Sequence, residues 1–393
     1  MTGTLPPLSL YLHFPWCVAK CPYCDFNSHG LRGELPAAAY IDALLAELRQ
    51  LPDDLPGRPL VSIFLGGGTP SLFAPADIDR LMRGVRDHLS LGDKCEVTLE
   101  ANPGALEHGS FEGYLRAGVN RLSLGVQSFA DQQLQQLGRV HSSTEAVAAF
   151  RAARSAGFDN INVDLMYALP GQTVAAALDN VQRALDLGPE HLSHYHLTLE
   201  PNTPFHARPP DHLPDDDQAW DMQTACAGEL RAAGFSDYEV SAWARNGRGS
   251  VHNLNYWNFG DYIGLGAGAH GKRTVRSNDG LQVWREHRLA SPRRYLRHAG
   301  SGDAAQSARV APADLVFEFM LNALRLREGV PLTQFTDYTG LSVAQLEPAL
   351  TTAVERDLLC DPDSGRIRPT ARGWRFLDDL QSLFLPLAQK ISR

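Results

Sequence analysis

Through the first two hundred residues, short apolar runs alternate with longer stretches of helical periodicity. Leu8–His13 reads as a strand. Tyr40, Ile41, Leu44, Leu45, Leu48 and Leu51 then recur at the spacing of one helix face. Val61–Leu65 predicts a second strand, followed by an amphipathic stretch from Ala76 to Leu89. Glu96–Glu100, Arg121–Val126, Asn160–Met166 and His191–Leu199 supply four more strands, with helical patterns at Thr144–Ala156 and Val174–Leu187 between them. Repeated strand–helix units imply right-handed crossovers and a parallel sheet, an α/β fold. Six units do not fill a closed eight-strand barrel, so the expectation is a partial barrel or an open sheet.

In such sheets chemistry gathers at the carboxyl ends of the strands. The polar and glycine-rich residues fall there repeatedly. Phe14–Cys24 follows the first strand and Gly66-Gly67-Gly68-Thr69-Pro70 the second. Glu100-Ala101-Asn102-Pro103 ends the third and Gln127 the fourth. The fifth carries Asp164 and runs into Leu169-Pro170-Gly171-Gln172. Their shared placement predicts one ligand site on one rim. From about Pro201 the pattern changes. A helix is predicted over Asp215–Ala233, a short strand near Tyr238–Ala242, and then a Gly- and aromatic-rich run from His252 to Gly271. Ala299–Ala308 reads as a linker. Beyond it, Leu315, Phe319 and Leu324, then Leu341–Leu350 and Trp374–Leu385, suggest a small winged-helix-like module with a hairpin near Asp363-Ser364-Gly365. The division expected is residues 1–200 as the core, 201–298 as an intermediate segment completing it, and 309–393 as the C-terminal domain.

Composition changes this picture mainly by exclusion. With 36 Lys and Arg against 45 Asp and Glu, the chain carries a net charge of −9. That balance gives no electrostatic reason to expect nucleic acid as a partner. The module from Arg309 onward holds ten Lys/Arg and eleven Asp/Glu, so DNA binding is the weaker reading even of a winged fold. The uncharged stretch Pro59–Ala76 is broken by prolines and glycines and does not read as a membrane helix. No basic residue precedes Lys20 and no long apolar segment follows the start, which argues against a secretory signal. The expectation is a soluble, cytoplasmic protein with no membrane insertion.

Six cysteines are present: three within eight residues (Cys17, Cys21, Cys24) and three scattered singly (Cys95, Cys226, Cys360). A secreted disulfide framework would not be spaced so. Three thiolates in one loop after a strand can bind three corners of an iron–sulfur cube, leaving one iron open. A Cys3His zinc site using His13 or His29 is the alternative. Tyr23, just before Cys24, is an aromatic that can shield a cluster or stack on a ligand ring.

The Cys-x3-Cys-x2-Cys loop, Tyr23 and Gly66-Gly67-Gly68-Thr69-Pro70 together resemble the radical S-adenosylmethionine (SAM) superfamily. Leu10-Tyr11-Leu12-His13-Phe14-Pro15-Trp16-Cys17, Gly125-Val126-Gln127-Ser128-Phe129 and Asp164–Thr173 narrow the resemblance to the oxygen-independent coproporphyrinogen III oxidase-like family, from about Leu8 to the C-terminus. The resemblance implies a partial (βα)6 TIM-like barrel with a [4Fe–4S] cluster on Cys17, Cys21 and Cys24, whose open iron takes the amino and carboxylate groups of SAM. By the same resemblance Gly67, Gly68 and Thr69 lie along the methionine moiety and Glu100 takes the ribose hydroxyls. Gln127, Arg139 and Asp164 match further SAM-contacting positions, and Tyr11 one near the methionine carboxylate. A tight strand–helix turn would explain the glycine run equally well, and local pairing would explain Asp164.

Two features depart from the coproporphyrinogen-oxidising members. Many of those carry a further cysteine two residues after the third ligand, where this chain has Phe26, and a long extension before the first strand. Both point instead to the heme-chaperone branch, whose members bind heme and pass it to acceptor hemoproteins. His252-Asn253-Leu254-Asn255-Tyr256-Trp257 matches a motif associated with heme in that branch. A neutral imidazole at His252 would be an axial ligand, with Tyr256 and Trp257 packed on the macrocycle. The alternatives are that these aromatics are core, and that the protein is an enzyme decarboxylating coproporphyrinogen III. His194 and His196, two apart on the sixth strand, share one side of it.

Overall fold

In a computed structural model, residues 5–386 are described apart from 53–54, 56, 105–110 and 279. Twelve strands form one sheet. They are β1 (Leu8–Phe14), β2 (Leu60–Gly67), β3 (Leu91–Ala101), β4 (Arg121–Gln127), β5 (Ile161–Tyr167), β6 (His191–His196), β7 (Ser236–Glu239), β8 (Ala242–Ala244), β9 (Asp261–Leu265), β10 (His270–Ser277), β11 (Gly280–Arg288) and β12 (Ala305–Arg309). Their spatial order is β12-β11-β10-β9-β1-β2-β3-β4-β5-β6-β8-β7. From β9 through β6 every neighbour is parallel; the pairs beyond each end are antiparallel.

The run β1 to β6 follows chain order without a reversal, so successive right-handed crossovers fall on the same face. There is no topological switch point of the kind an open doubly wound sheet uses. One face of the strands is aliphatic: Leu10, Leu12 and Phe14 on β1 and Ile63 and Leu65 on β2 are fully buried. Helix Ala37–Leu48 sets Tyr40, Ile41, Leu44 and Leu48 into the same core, and Phe14 meets Tyr40 and Phe73 there. Local signals fix the helix ends. Ser142 and Glu145 form a capping box at the start of Ser143–Ser155, and Gly188, in the left-handed region, stops Val174–Leu187.

The alternate positions face inward and are polar. Ser9 Oγ meets Ser62 Oγ at 2.8 Å, Arg121 faces Glu96 at 3.8 Å, and Asp164 accepts from Asn162 and Ser123. Glu100 on β3 feels the charge of Asp164 on β5, and its own charge acts on Tyr11 of β1. Side chains from non-adjacent strands thus converge, as they do in a sheet curled into an incomplete barrel.

The structure adds elements the hydrophobic pattern did not signal. β9 is a seventh parallel strand, and it sits beside β1 rather than after β6. The residues read as a linker overlap β12, an exposed edge strand paired with β11. The expected hairpin near Asp363 turns through a 3-10 segment, Pro362–Ser364, with Leu359 bridging Pro369 antiparallel and the Cys360 amide donating to the Arg368 carbonyl at 2.9 Å; Arg366–Ile367 also pairs with Val330–Pro331. The C-terminal helices gather around Phe319, Met320, Phe335 and Leu350, and this cluster takes in Phe259 and Val283 from the sheet side. No helix among the described residues is long and apolar enough to cross a membrane.

Candidate functional site

At the carboxyl ends of the parallel strands lies a cavity of about 500 Å³. Every parallel strand from β2 to β6 brings a residue to it, and the loop after β1 brings the three clustered cysteines. Of the residues singled out from sequence, Cys17, Cys21, Cys24, Tyr23, Gly67, Gly68, Thr69, Glu100, Gln127, Arg139 and Asp164 all line it.

The thiols are half-buried. Burial pushes the Cys17 thiol up, while Thr69 and Ser28 hydrogen-bond it and pull the other way. Cys24 is raised by burial in the same manner, with Ser28 Oγ 3.8 Å from its sulfur. Arg139 stands beside Cys21, its Nη1 donating to the sulfur at 3.6 Å and its Nη2 to the Gly125 carbonyl at 2.6 Å. Burial opposes the guanidinium charge, but Tyr23 and Cys21 outweigh it and hold the arginine above its usual range. A fixed cation thus faces the place where thiolates would form. Among the described residues no three His, Cys, Asp or Glu side chains converge on a single point. A mononuclear zinc site needs such convergence, whereas a cubane takes each thiolate on a different iron.

The floor is acidic. Glu100 accepts from the Gly67 amide at 3.0 Å; burial, then the nearby Asp164 carboxylate, pushes it up to about 8. Asp164 is also raised by burial, against hydrogen bonds from Asn162, Ser193 and Ser123. Two buried carboxyls, one of them raised further by the charge of the other, are poised for a ligand that donates hydrogen bonds. Gln127 adds a strained backbone, with φ of 68° at the end of β4.

The glycine run has a structural cause as well. A Cβ on Gly68 would stand 2.5 Å from the Trp16 carbonyl oxygen, and Gly67, with φ of 110°, would drive one into the His13 ring. Close approach of β2 to the exit of β1 therefore requires glycine here before any ligand is considered.

Tyr11 is not on the cavity wall. It lies deeper, its hydroxyl 2.9 Å from His13 Nδ1 and its ring against Phe64. His252, expected as an axial ligand, lies away from this cavity. His252 begins the helix Val251–Trp257, which closes the amino-terminal side of the strands. It is 1% exposed, with Nδ1 2.9 Å from Ser62 Oγ and Nε2 2.9 Å from Tyr256 Oη. Burial, with Arg121 next, pushes its pKa down to about 3, so it is a neutral, doubly bonded core imidazole. Trp257 lies under the Arg325 guanidinium at 4.2 Å, against the C-terminal helices. The cavity does not include these three residues. His194 packs flat on Tyr167 and is buried, while its strand neighbour His196 does reach the cavity. Tyr195, Met166 and Asn102 also line it; Asn102 and Met166 lie inside segments quoted as motifs but were given no role, and Tyr195 lies in a strand with no motif around it.

A family profile described as the radical SAM superfamily matches residues 11–184, and one described as the HemN C-terminal domain matches residues 310–376. The heme chaperone HemW of Escherichia coli K12 is 46% identical over 97% of this chain and 99% of its own. The heme chaperone HemW of Haemophilus influenzae is 45% identical over 97% and 98%. The structure of coproporphyrinogen III oxidase (HemN) from Escherichia coli, a radical SAM enzyme, superposes with a TM-score of 0.79 over 97% of this chain and 90% of its own, at 24% identity. The thiol loop, the rim it faces and these likenesses lead to one assignment: the chain belongs to the radical SAM superfamily, in the group of relatives that carry the name heme chaperone HemW.

Proposed function

We propose that this protein binds heme and passes it to acceptor hemoproteins, on a scaffold that carries a [4Fe–4S] cluster and SAM. The observation that carries the reading is near-full-length identity of 45–46% to two proteins each named heme chaperone. The cavity supports the cofactor part, because its thiols, cation and acidic floor fit the two groups the superfamily uses.

Cys17, Cys21 and Cys24 would hold the cluster, and Arg139 would balance the charge of the sulfurs beside it. When bound, the cluster supplies an open iron for the amino and carboxylate groups of SAM and an electron for its sulfonium. The rest is work for the chain's own side chains. Gly67, Gly68 and Thr69 would present backbone along the methionine part, and Tyr23 an aromatic face. Burial and then Asp164 push Glu100 up to about 8, which favours its protonated form at neutral pH. Ribose hydroxyls donating to it would favour the carboxylate, so binding would release a proton from Glu100 at neutral pH. Asp164, clamped by Asn162 at 2.8 Å and Ser123 at 3.1 Å, would keep a fixed acceptor on the opposite wall with Gln127. At the rim Phe26, 58% exposed, brings a phenyl ring and no ligating or redox group.

The test is a parallel assay on anaerobically reconstituted protein. Hemin is titrated and a Soret band followed; separately, reductant, SAM and coproporphyrinogen III are supplied and the decarboxylated product sought. Uptake of hemin without turnover is expected. Robust decarboxylation with no hemin uptake overturns the reading in favour of the enzyme.

A further inference from the structure

A second cavity, about 550 Å³, backs onto the first across the cysteine loop, and Ser28 lines both. Its size falls within the roughly 300–1,000 Å³ of small-molecule sites. Its wall is cationic: Lys20, Arg32 and Arg293 stand around it and Glu34 is its single acid, on a chain whose net charge is −9. Among the described residues neither Arg32 nor Arg293 reaches a carboxylate, and Lys20 donates to the Phe26 carbonyl at 2.9 Å. Trp16, Leu31 and Leu296 give the same wall an apolar part.

His29 also lines this cavity, and its ring is exposed. Its Nε2 lies 3.3 Å from Asn27 Oδ1, and Asn27 is itself anchored by Nδ2 to the Ala267 and Ala290 carbonyls, each at 2.9 Å. An exposed imidazole oriented by such an oxygen can turn a nitrogen to an incoming metal. Burial, with Lys20 next, lowers its pKa, while a hydrogen bond to the Ala290 carbonyl works the other way. The backbone fixes its place: Trp16 pairs with His29 and Cys17 with Gly30 in a short parallel ladder.

We infer that this cavity is where heme docks, with His29 as an axial ligand and Arg32 and Arg293 pairing with the two propionates. The inference rests on the heme-binding reading above and specifies its site. An apolar wall, two unpaired guanidiniums and an exposed neutral imidazole match the three parts of a metalloporphyrin. His252, by contrast, has both nitrogens bonded inside the barrel.

The experiment titrates hemin, and separately hemin dimethyl ester, into the full-length reconstituted chain and reads the Soret difference spectrum. His29→Ala is expected to weaken hemin binding about tenfold or more and to shift the band, since it removes an iron ligand. The exposed pair Arg32→Glu/Arg293→Glu is expected to weaken hemin about tenfold and leave the ester unaffected, which isolates the propionates. His252→Ala is expected to keep the wild-type band. Wild-type affinity and spectrum in both His29→Ala and the arginine pair, with loss in His252→Ala, overturns the site while leaving heme binding intact. A wild-type chain that forms no hemin complex removes the heme-binding reading and the site together. Circular dichroism and cluster absorbance establish that each variant is folded; the arginine pair, on the surface, keeps the test decisive if His29→Ala loses its cluster.

Discussion

The two ends of the barrel interior are built from the same kinds of residue and behave oppositely. At the carboxyl end, Glu100 and Asp164 face a cavity with raised pKa values, and Glu100 accepts from a single amide. At the amino end, Ser9, Ser62, His252 and Tyr256 form a buried chain of hydrogen bonds, and His191 bridges Asn162 and Tyr238 at 2.6 and 2.8 Å. Polar content does not distinguish a site from a core; unspent hydrogen-bonding capacity does. The upper layer retains electrostatic cost that a ligand can relieve, while the lower layer has spent most of its capacity internally, with Arg121 Nε and Trp257 Nε1 left without a hydrogen-bond partner among the described residues.

The largest expected effect is at the thiols. Cys21→Ala should take bound iron in reconstituted protein from about four per chain to near none, since three ligands are the minimum this loop supplies. Its thermal unfolding should change little, because the thiol is only half-buried. The contrast sharpens with His252→Ala: cluster content should persist, but stability should fall by roughly 2–4 kcal/mol through a buried cavity and stranded partners at Ser62 and Tyr256. Denaturant unfolding of the two variants side by side separates the upper end from the lower.

Titration breaks the comparison in another way. Glu100 is raised in the fold, from 4.5 to about 8, so its contribution to stability is full below 4.5 and is lost as pH rises through 8. His252 is lowered, from 6.5 to about 3, so its contribution is full above 6.5 and is lost as pH falls toward 3. Glu100→Gln should flatten the alkaline limb of the stability profile and leave the acid limb. The same variant should abolish the strengthening of SAM affinity expected between pH 6 and 8. Phe26→Ala is the smallest change expected, within about 0.5 kcal/mol on stability, because its ring is exposed at the rim.

The six crossover strands and the thiol rim were legible because each combined a short apolar run with a chemically marked exit. β9 was not, because Gly264 interrupts a five-residue strand and its pairing partner β1 lies near the other end of the chain. β12 has no apolar alternation; all five residues are exposed and backbone pairing alone makes it a strand. The His252 motif was read as pointing to a ligand because sequence gives residue types but not what they already bond. Its Ser62 partner stands in a run marked only as strand. His29 was visible only as one candidate zinc ligand; the arginine from helix Pro292–His298 that shares its cavity is remote in sequence.

The pairing of Leu8 with Asp261 carries a consequence for how the molecule is made. On a ribosome, the first strand emerges long before the one that covers its outer side. At roughly 5–20 residues per second, that side stays unpaired for about 10–50 s. The opposite edge, guarded by β2, is complete early. The nascent chain therefore displays one open, aliphatic-backed ladder through most of its synthesis, a standing invitation to a neighbouring copy or to a holdase.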